Sequence, residues 1–236
     1  MFFFLKLYLA HLIGDFVIQF DEIYQLKLKS LWGQFFHALI HAAVSLLLLL
    51  PYLINPGVWI FIFFIVDIHL FQDTVKYKLI KNKKLHFPVF IIDQVLHLLW
   101  IAAIIFIPVH WPSAGFSNKI HFSSFYFENR WTIYLIGWIT ATMAGSYILN
   151  SFSLSYLKDH RKDRFISAQE LVYGFLERSI VAGTILFCPY PAAWLLTPAT
   201  GLGRLAFPKL KSRAEFILSF IYAFGVGIFF RRLLIQ

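Results

Sequence analysis

Eight side chains of types that bind metal ions occur in this sequence as four pairs, each with a spacing of four residues. The pairs are His11 with Asp15, His37 with His41, His69 with Asp73, and Asp93 with His97. This spacing places both members of a pair on one face of a helix, about one turn apart. The segments that carry the pairs are strongly apolar, and ionisable groups in such segments mark functional sites. The pattern therefore predicts a metal site inside a helix bundle.

The ligand types narrow the choice of metal. Imidazole with carboxylate favours zinc, iron or manganese, and a lone cysteine, Cys188, excludes both a thiolate cage and a disulfide framework. Two ions about 3.5–4 Å apart could share all eight ligands. For one pair alone, a buried His–Asp hydrogen bond that fixes helix packing would explain the spacing equally well. Because four pairs follow one another, we expect one or two divalent transition-metal ions.

Polar neighbours of the pairs extend the predicted site. Gln19 lies one turn beyond Asp15, and Gln94 follows Asp93; metal ligands need such hydrogen-bonding partners around them. A carboxylate that does not bind the metal could act as a general base. The candidates for a catalytic role are Asp15, Asp73, Asp93 and Lys76.

Three cations within or beside apolar segments could bind the anionic headgroup of a substrate. They are Lys76, Arg178 and Arg204. Two of them have a simpler interpretation as well. Lys76 could be an interfacial lysine of a basic loop, and Arg178 could form a structural ion pair with Glu177.

Composition indicates a membrane protein. The 236 residues are 59% hydrophobic and only 14% charged, with a mean hydropathy of +0.70, whereas soluble domains are about a quarter charged. The net charge of +9 comes from basic residues in short loops, as in the positive-inside pattern. We therefore expect membrane lipids as partners and no nucleic acid. The fold class predicted is all-α, a polytopic helical bundle.

Apolar runs predict about seven to eight transmembrane segments, each near the length of about 20 residues that a span needs. They lie at 2–20, 33–54, 57–79, 88–108, 131–156, 169–187, 189–207 and 213–230, and the seventh is broken by Pro and Gly. The first segment lacks the basic N-terminal region and the small-residue cleavage site of a signal peptide, so it is interpreted as a retained helix. Because loops rich in Lys and Arg usually lie in the cytoplasm, we expect the basic loops of this chain to be cytoplasmic and its N-terminus to be outside.

The pairs also show a repeat. The first hairpin carries HxxxD followed by HxxxH, and the second carries HxxxD followed by DxxxH. The prediction is a four-helix metal-binding core of two repeated hairpins at 1–108. An external interfacial loop follows at 109–130, and C-terminal membrane helices occupy 131–236.

The motifs HLIGDFVIQ, HALIH, HLFQDTVK and IIDQVLH, in this order, resemble a bacterial integral-membrane family known as domain of unknown function 3307. The resemblance covers roughly residues 5–105 and implies that the N-terminal half is one unit in a bacterial cytoplasmic membrane. It implies no particular reaction.

These observations favour an intramembrane metalloenzyme with a mono- or dinuclear centre near the cytoplasmic side. A metal-dependent hydrolase of a lipid-like substrate is the leading hypothesis, since a metal can activate water and polarise an ester or phosphoryl oxygen. Three alternatives stay open. They are a membrane di-iron oxidase, hydroxylase or desaturase, a proton- or metal-ion-coupled transporter, and a structural or signalling subunit.

Overall fold

The structure is a computed structural model that describes residues 1–18, 21–79, 85–106, 124–156, 168–188, 190–202 and 213–235. Helices make up nearly all of these residues, and no strand occurs among them. The chain divides into two compact units, Met1–Thr132 and Ile133–Gln236. The all-helical class predicted from the sequence is confirmed.

The first unit contains the helices that carry the four pairs. In chain order they are α1 (Phe2–Leu12), α2 (Asp21–Lys29), α3 (Leu31–Leu48), α4 (Pro56–Leu79) and α5 (His86–Ala102), followed by the short α6 (Ser124–Phe127). Helix α1 contacts α3 and α5, and α4 also contacts α3 and α5. The four helices therefore surround a common interior.

The second unit is also helical. It contains α7 (Asn129–Ile139, which begins within the first unit), α8 (Gly145–Tyr156), α9 (Ala168–Phe187), a 3₁₀ segment (Pro191–Leu202) and α10 (Arg213–Ile235). A π-helical turn, Thr140–Ala144, joins α7 to α8. Val181, Ile185 and Ala223 form the buried core between α9 and α10.

Five helices in the described ranges are long and apolar enough to cross a membrane. They are Leu31–Leu48, Pro56–Leu79, His86–Phe106, Asn129–Tyr156 and Glu215–Ile235. A sixth arises if Phe2–Val17 and Glu22–Lys29, which meet at 93°, count as one bent span. The predicted count of seven to eight is not confirmed. The described helix Ala168–Phe187 does not meet this criterion, and segment 189–207 lies partly outside the described residues. Most of the predicted loop 109–130 lies outside the described residues.

Local sequence signals explain where two of the core helices begin. Ser30 has an extended backbone, and its side chain accepts a hydrogen bond of 3.1 Å from the Gly33 amide, which caps α3. Asn55 accepts from the Gly57 amide at 2.9 Å just before Pro56 opens α4. Proline at the first helical position is favourable because its missing N–H would have no partner there.

A π-helical turn, Ile13–Val17, follows α1 and carries Asp15. The amide of Ile18 donates to the carbonyl of Ile13 at 2.9 Å, a five-residue hydrogen bond. Single π-helical turns often mark functional sites because they change the direction of a side chain within a helix. This turn sets the direction of the Asp15 carboxylate.

Candidate metal centre

The four pairs converge in the interior of the first unit. Each of the four core helices contributes one histidine to a ring of imidazoles, and all are at most 4% exposed. Neighbouring ring centroids are 4.0 Å apart for His41 and His69, 4.4 Å for His69 and His97, 4.7 Å for His97 and His11, and 5.4 Å for His11 and His41. Residues 86 positions apart in sequence thus share one buried layer.

The Asp15 carboxylate lies against this layer and is the centre of its polar contacts. Its Oδ1 is 2.9 Å from His37 Nε2, 3.2 Å from His41 Nε2 and 3.9 Å from His69 Nε2. Its Oδ2 is 3.6 Å from His11 Nε2. Four imidazoles therefore surround one carboxylate.

Four of these residues have the spacing of ligands to a single ion. One ligand atom each from Asp15, His37, His41 and His69 lies within 4.8 Å of every other, and all four side chains are buried. The Nε2 atoms of His37 and His41 are 3.1 Å apart. Two nitrogens on one tetrahedral zinc would be about 3.3 Å apart, given Zn–N bonds of about 2.0–2.1 Å. The donor set and its spacing both fit such an ion.

Hydrogen bonds assign the protonation of two of the rings. His97 Nδ1 donates to the backbone carbonyl of Asp93 at 2.8 Å, so Nε2 of neutral His97 has a lone pair. That lone pair accepts from His69 Nδ1 at 2.6 Å. His69 Nε2 is then unprotonated and has no hydrogen-bond partner among the described residues. It faces Asp15 Oδ1 at 3.9 Å and Asp73 Oδ2 at 3.6 Å.

A lone pair that faces two carboxylates is unfavourable unless a cation lies between them. This arrangement is the usual one for a metal-binding histidine, whose other ring nitrogen donates to a fixed acceptor. A second group of ligand atoms, from His11, His69 and His97, is also within 4.8 Å. It shares His69 with the first group.

The other two aspartates lie next to lysines, the buried Lys27 and the partly buried Lys76. Lys27 Nζ is 2.9 Å from Asp73 Oδ2, in a close ion pair without the alignment of a hydrogen bond. Lys76 Nζ donates to Asp93 Oδ2 at 2.6 Å and lies 3.9 Å from Asp73 Oδ1. All eight predicted ligands are therefore buried in one region, but Asp73 and Asp93 are already neutralised by lysines.

Lys27 is a residue of the site that the sequence does not reveal. Its side chain is only 2% exposed, although it belongs to a stretch with the appearance of a basic loop. Helix α2 packs on α3. There Gln34 Nε2 donates to the Lys27 carbonyl at 3.3 Å, and Gln34 Oε1 accepts from the Thr74 hydroxyl at 2.7 Å. A β-carbon on Gly33 would be 2.2 Å from the Leu26 carbonyl oxygen. Only glycine at this position permits the approach that brings Lys27 inward.

Gln94 lies where a partner of the ligands is expected. It donates to Asp15 Oδ2 at 3.2 Å and to Asp93 Oδ2 at 3.3 Å, and it accepts from His11 Nε2 at 3.2 Å. It thereby links three of the predicted ligands. Gln19 and Arg204 lie outside the described residues.

The two remaining headgroup candidates bind the protein itself. Lys76 pairs with Asp93 as described, and Arg178 is 1% exposed in the second unit. The Arg178 guanidinium donates to the Thr142 carbonyl and to Ser219 at 3.1 Å each, and to Ser146. Thr142 belongs to the π-helical turn, so Arg178 satisfies a carbonyl there. This geometry favours the structural interpretation of Arg178.

A small cavity of about 20 Å³ adjoins the histidine layer, and no lysine lines it. The polar residues that line it are His11, His41, His69, His97, Ser45 and Gln72. Leu7, Ile65, Ile68, Trp100 and Ile101 complete its wall. A cavity of this size holds one water-sized group.

Gly14 allows His41 to reach Asp15. A β-carbon at Gly14 would lie 2.5 Å from His41 Cε1 and 2.7 Å from both ring nitrogens. No side chain larger than hydrogen fits between the π-helical turn and this ring.

Comparison with known proteins gives one result. A family model described as "Protein of unknown function (DUF3307)" matches residues 3–123, just over half of the 236 residues. The match confirms the family that the four sequence motifs resemble, and it spans all four pairs. No curated protein and no solved structure matches the chain.

Proposed function

Since the chain belongs to the DUF3307 family, whose description names no activity, we propose its function from the site itself. The proposal is a metal-dependent membrane hydrolase with one divalent ion held by Asp15, His37, His41 and His69. The main support for this proposal is the unprotonated Nε2 of His69, which faces Asp15 and Asp73 without a hydrogen-bond partner in the described ranges.

Charge supports a bound cation. The site contains three buried aspartates, the buried Lys27 and the partly buried Lys76, whose side chain is 17% exposed. With neutral histidines it therefore carries one uncompensated negative charge, on Asp15. Burying an unpaired carboxylate is strongly unfavourable. A divalent ion bound to Asp15 and three imidazoles removes this penalty, and zinc, iron or manganese suits the donors.

The surroundings favour catalysis over a purely structural metal. Catalytic sites keep a coordination position open, and the cavity beside His41 and His69 gives access to one water-sized group. A bound metal would supply Lewis-acid activation of water and of a carbonyl or phosphoryl oxygen. The Asp93 carbonyl accepts from His97, and Gln94 accepts from His11, so both rings have fixed partners beside the ligands.

One observation favours a second function, proton- or ion-coupled transport. A chain of polar contacts runs from Lys76 through Asp93 and Gln94 to Asp15 and His37. Buried titratable groups in contact with one another are typical of proton pathways. Proton flux in vesicles, without any bound metal, would select this function.

The placement in the membrane is part of the proposal. We propose that the first four spans form two parallel-repeat hairpins in a cytoplasmic membrane, with the N-terminus outside and the pairs in the cytoplasmic half. The convergence of the pairs supports this, because HxxxD pairs in α1 and α4 and their partners in α3 and α5 meet at one level.

Ester hydrolysis by the purified protein tests the function. We expect hydrolysis of a long-chain 4-nitrophenyl ester that stops after chelation and resumes when zinc, iron or manganese is restored. Asp15→Asn should abolish it, whereas Asp67→Asn, an exposed aspartate of α4, should not. A rate that survives verified removal of metal would contradict the proposal.

A further inference from the structure

Gln72 is a buried residue of α4 whose hydrogen-bonding capacity is unused. The residue is 8% exposed, and neither Nε2 nor Oε1 has a hydrogen-bond partner in the part of the chain described. It lies three residues after His69, on the same side of the helix, and lines the cavity beside the histidine layer. Burying a primary amide without partners is unfavourable, so its position calls for a ligand.

The shape of the cavity limits what that ligand can be. Its volume of about 20 Å³ admits one water-sized group. Ile68 of α4 and Trp100 of α5 are among the residues of its wall, and Trp100 is 39% exposed, on the surface that faces lipid in the proposed topology. A small polar group could enter here while an apolar chain stays in the bilayer.

The cavity is also free of formal charge when its histidines are neutral. No Asp, Glu, Lys or Arg occurs among the residues that line it. A cationic headgroup would lose its hydration here without gaining a counter-ion. An uncharged group that can both donate and accept a hydrogen bond matches the two free atoms of Gln72.

We propose that Gln72 binds the hydroxyl group of a long-chain alcohol, whose chain leaves the cavity between Ile68 and Trp100. The inference rests on the proposed function and names its substrate class. The ester that is cleaved has a long-chain alcohol, and hydrolysis adds water across the acyl–oxygen bond to give a carboxylic acid and this alcohol. Gln72 is then a positioning residue for the alcohol side of the ester.

Photolabelling tests the inference directly. The probe is dodecanol with a diazirine on its chain, applied to the full-length protein in detergent. We expect labelling of the peptides that contain Ile68 and Trp100, with competition by unlabelled dodecanol and none by dodecane. Gln72→Leu should weaken dodecanol competition about tenfold, the size expected for one or two lost hydrogen bonds.

A neighbouring substitution serves as the control. Phe71→Leu changes a side chain that is 69% exposed, and it should leave the labelling unchanged. Equal competition by dodecane, or equal dodecanol affinity in Gln72→Leu, would overturn the inference. The comparison of dodecanol with dodecane as competitors in the wild-type protein tests the alcohol site even if Gln72→Leu does not fold.

Metal content, measured on the same samples, separates this inference from the proposed function. Gln72→Leu should retain the wild-type metal content, because Gln72 is not a ligand. Metal-free wild-type protein that is labelled as expected would refute the proposed function and leave the alcohol site standing. Metal-loaded protein without selectivity for dodecanol would refute the alcohol site alone.

Discussion

At the scale of single residues, His69 connects the two parts of the site because its ring nitrogens face different partners. Nδ1 donates to His97, and Nε2 faces the carboxylates of Asp15 and Asp73. The backbone carbonyl of Asp93 fixes the tautomer of His97 and, through it, that of His69. The orientation of one ligand therefore depends on a histidine that does not itself need to bind the metal.

His97→Phe tests this dependence. The substitution removes the acceptor of His69 Nδ1 and keeps an aromatic ring in the layer. Loss of such an outer partner lowers metal affinity about 10–100-fold, so we expect zinc to bind with full stoichiometry at high concentration and weaker affinity. Competition with a fluorescent zinc chelator measures the change.

His69→Ala provides the comparison for that measurement. It removes a ligand and should abolish tight binding. If His97→Phe abolishes binding as completely as His69→Ala, His97 is a ligand and the centre includes the second group of nitrogens. An unchanged affinity in His97→Phe would contradict the tautomer assignment.

At the scale of elements, the π-helical turn and Gly14 determine how closely α1 approaches α3. Asp15 and His41 meet because no β-carbon intervenes at Gly14. The same principle operates between α2 and α3, where Gly33 admits the Leu26 carbonyl. In both places a glycine permits the approach that brings a charged side chain into the interior.

Gly14→Ala should displace the His41 ring. The new β-carbon would stand 2.5 Å from Cε1, far inside contact distance, so the ring or the turn must shift. We expect zinc affinity to fall by at least tenfold, in keeping with the steep dependence of metal sites on ligand placement. The same chelator competition measures it.

Gly225→Ala is the matched control for Gly14→Ala. A β-carbon at Gly225 in α10 meets nothing within 4 Å. Because alanine is favoured over glycine in a helix by up to about 1 kcal/mol, Tm should stay the same or rise, and zinc affinity should not change. Equal zinc affinity in both variants and wild type would refute the role assigned to Gly14.

Much of the site could be predicted from the sequence because its ligands lie on helices. A spacing of four is a local property, so each pair such as His37 and His41 could be recognised without knowing the fold. Lys27 and Gln72 differ. The bend between α1 and α2 brings Lys27 to Asp73, and no local pattern distinguishes this lysine from those of a basic loop, or Gln72 from any other glutamine. Lys76 is a candidate from the sequence, but its pairing with Asp93 depends on the packing of α4 against α5.

At the scale of the whole molecule, the orientation in the membrane remains a prediction with a direct test. In a Cys188→Ser background, single cysteines at Lys78 and at Asn55 would lie on opposite sides, because Asn55 directly precedes α4 and Lys78 is in its last turn. We expect a membrane-impermeant maleimide to label position 55 in intact cells and position 78 only after lysis. The reverse pattern would invert the proposed topology.

The central claim is that the buried layer of histidines around Asp15 holds a metal ion. Elemental analysis of protein purified without a metal-binding tag tests it most directly. We predict about one equivalent of zinc, iron or manganese per chain in wild type and in Asp67→Asn, and a sharp loss in Asp15→Asn and His69→Ala. Protein that carries no metal, and takes up none when zinc, iron and manganese are supplied, would contradict it.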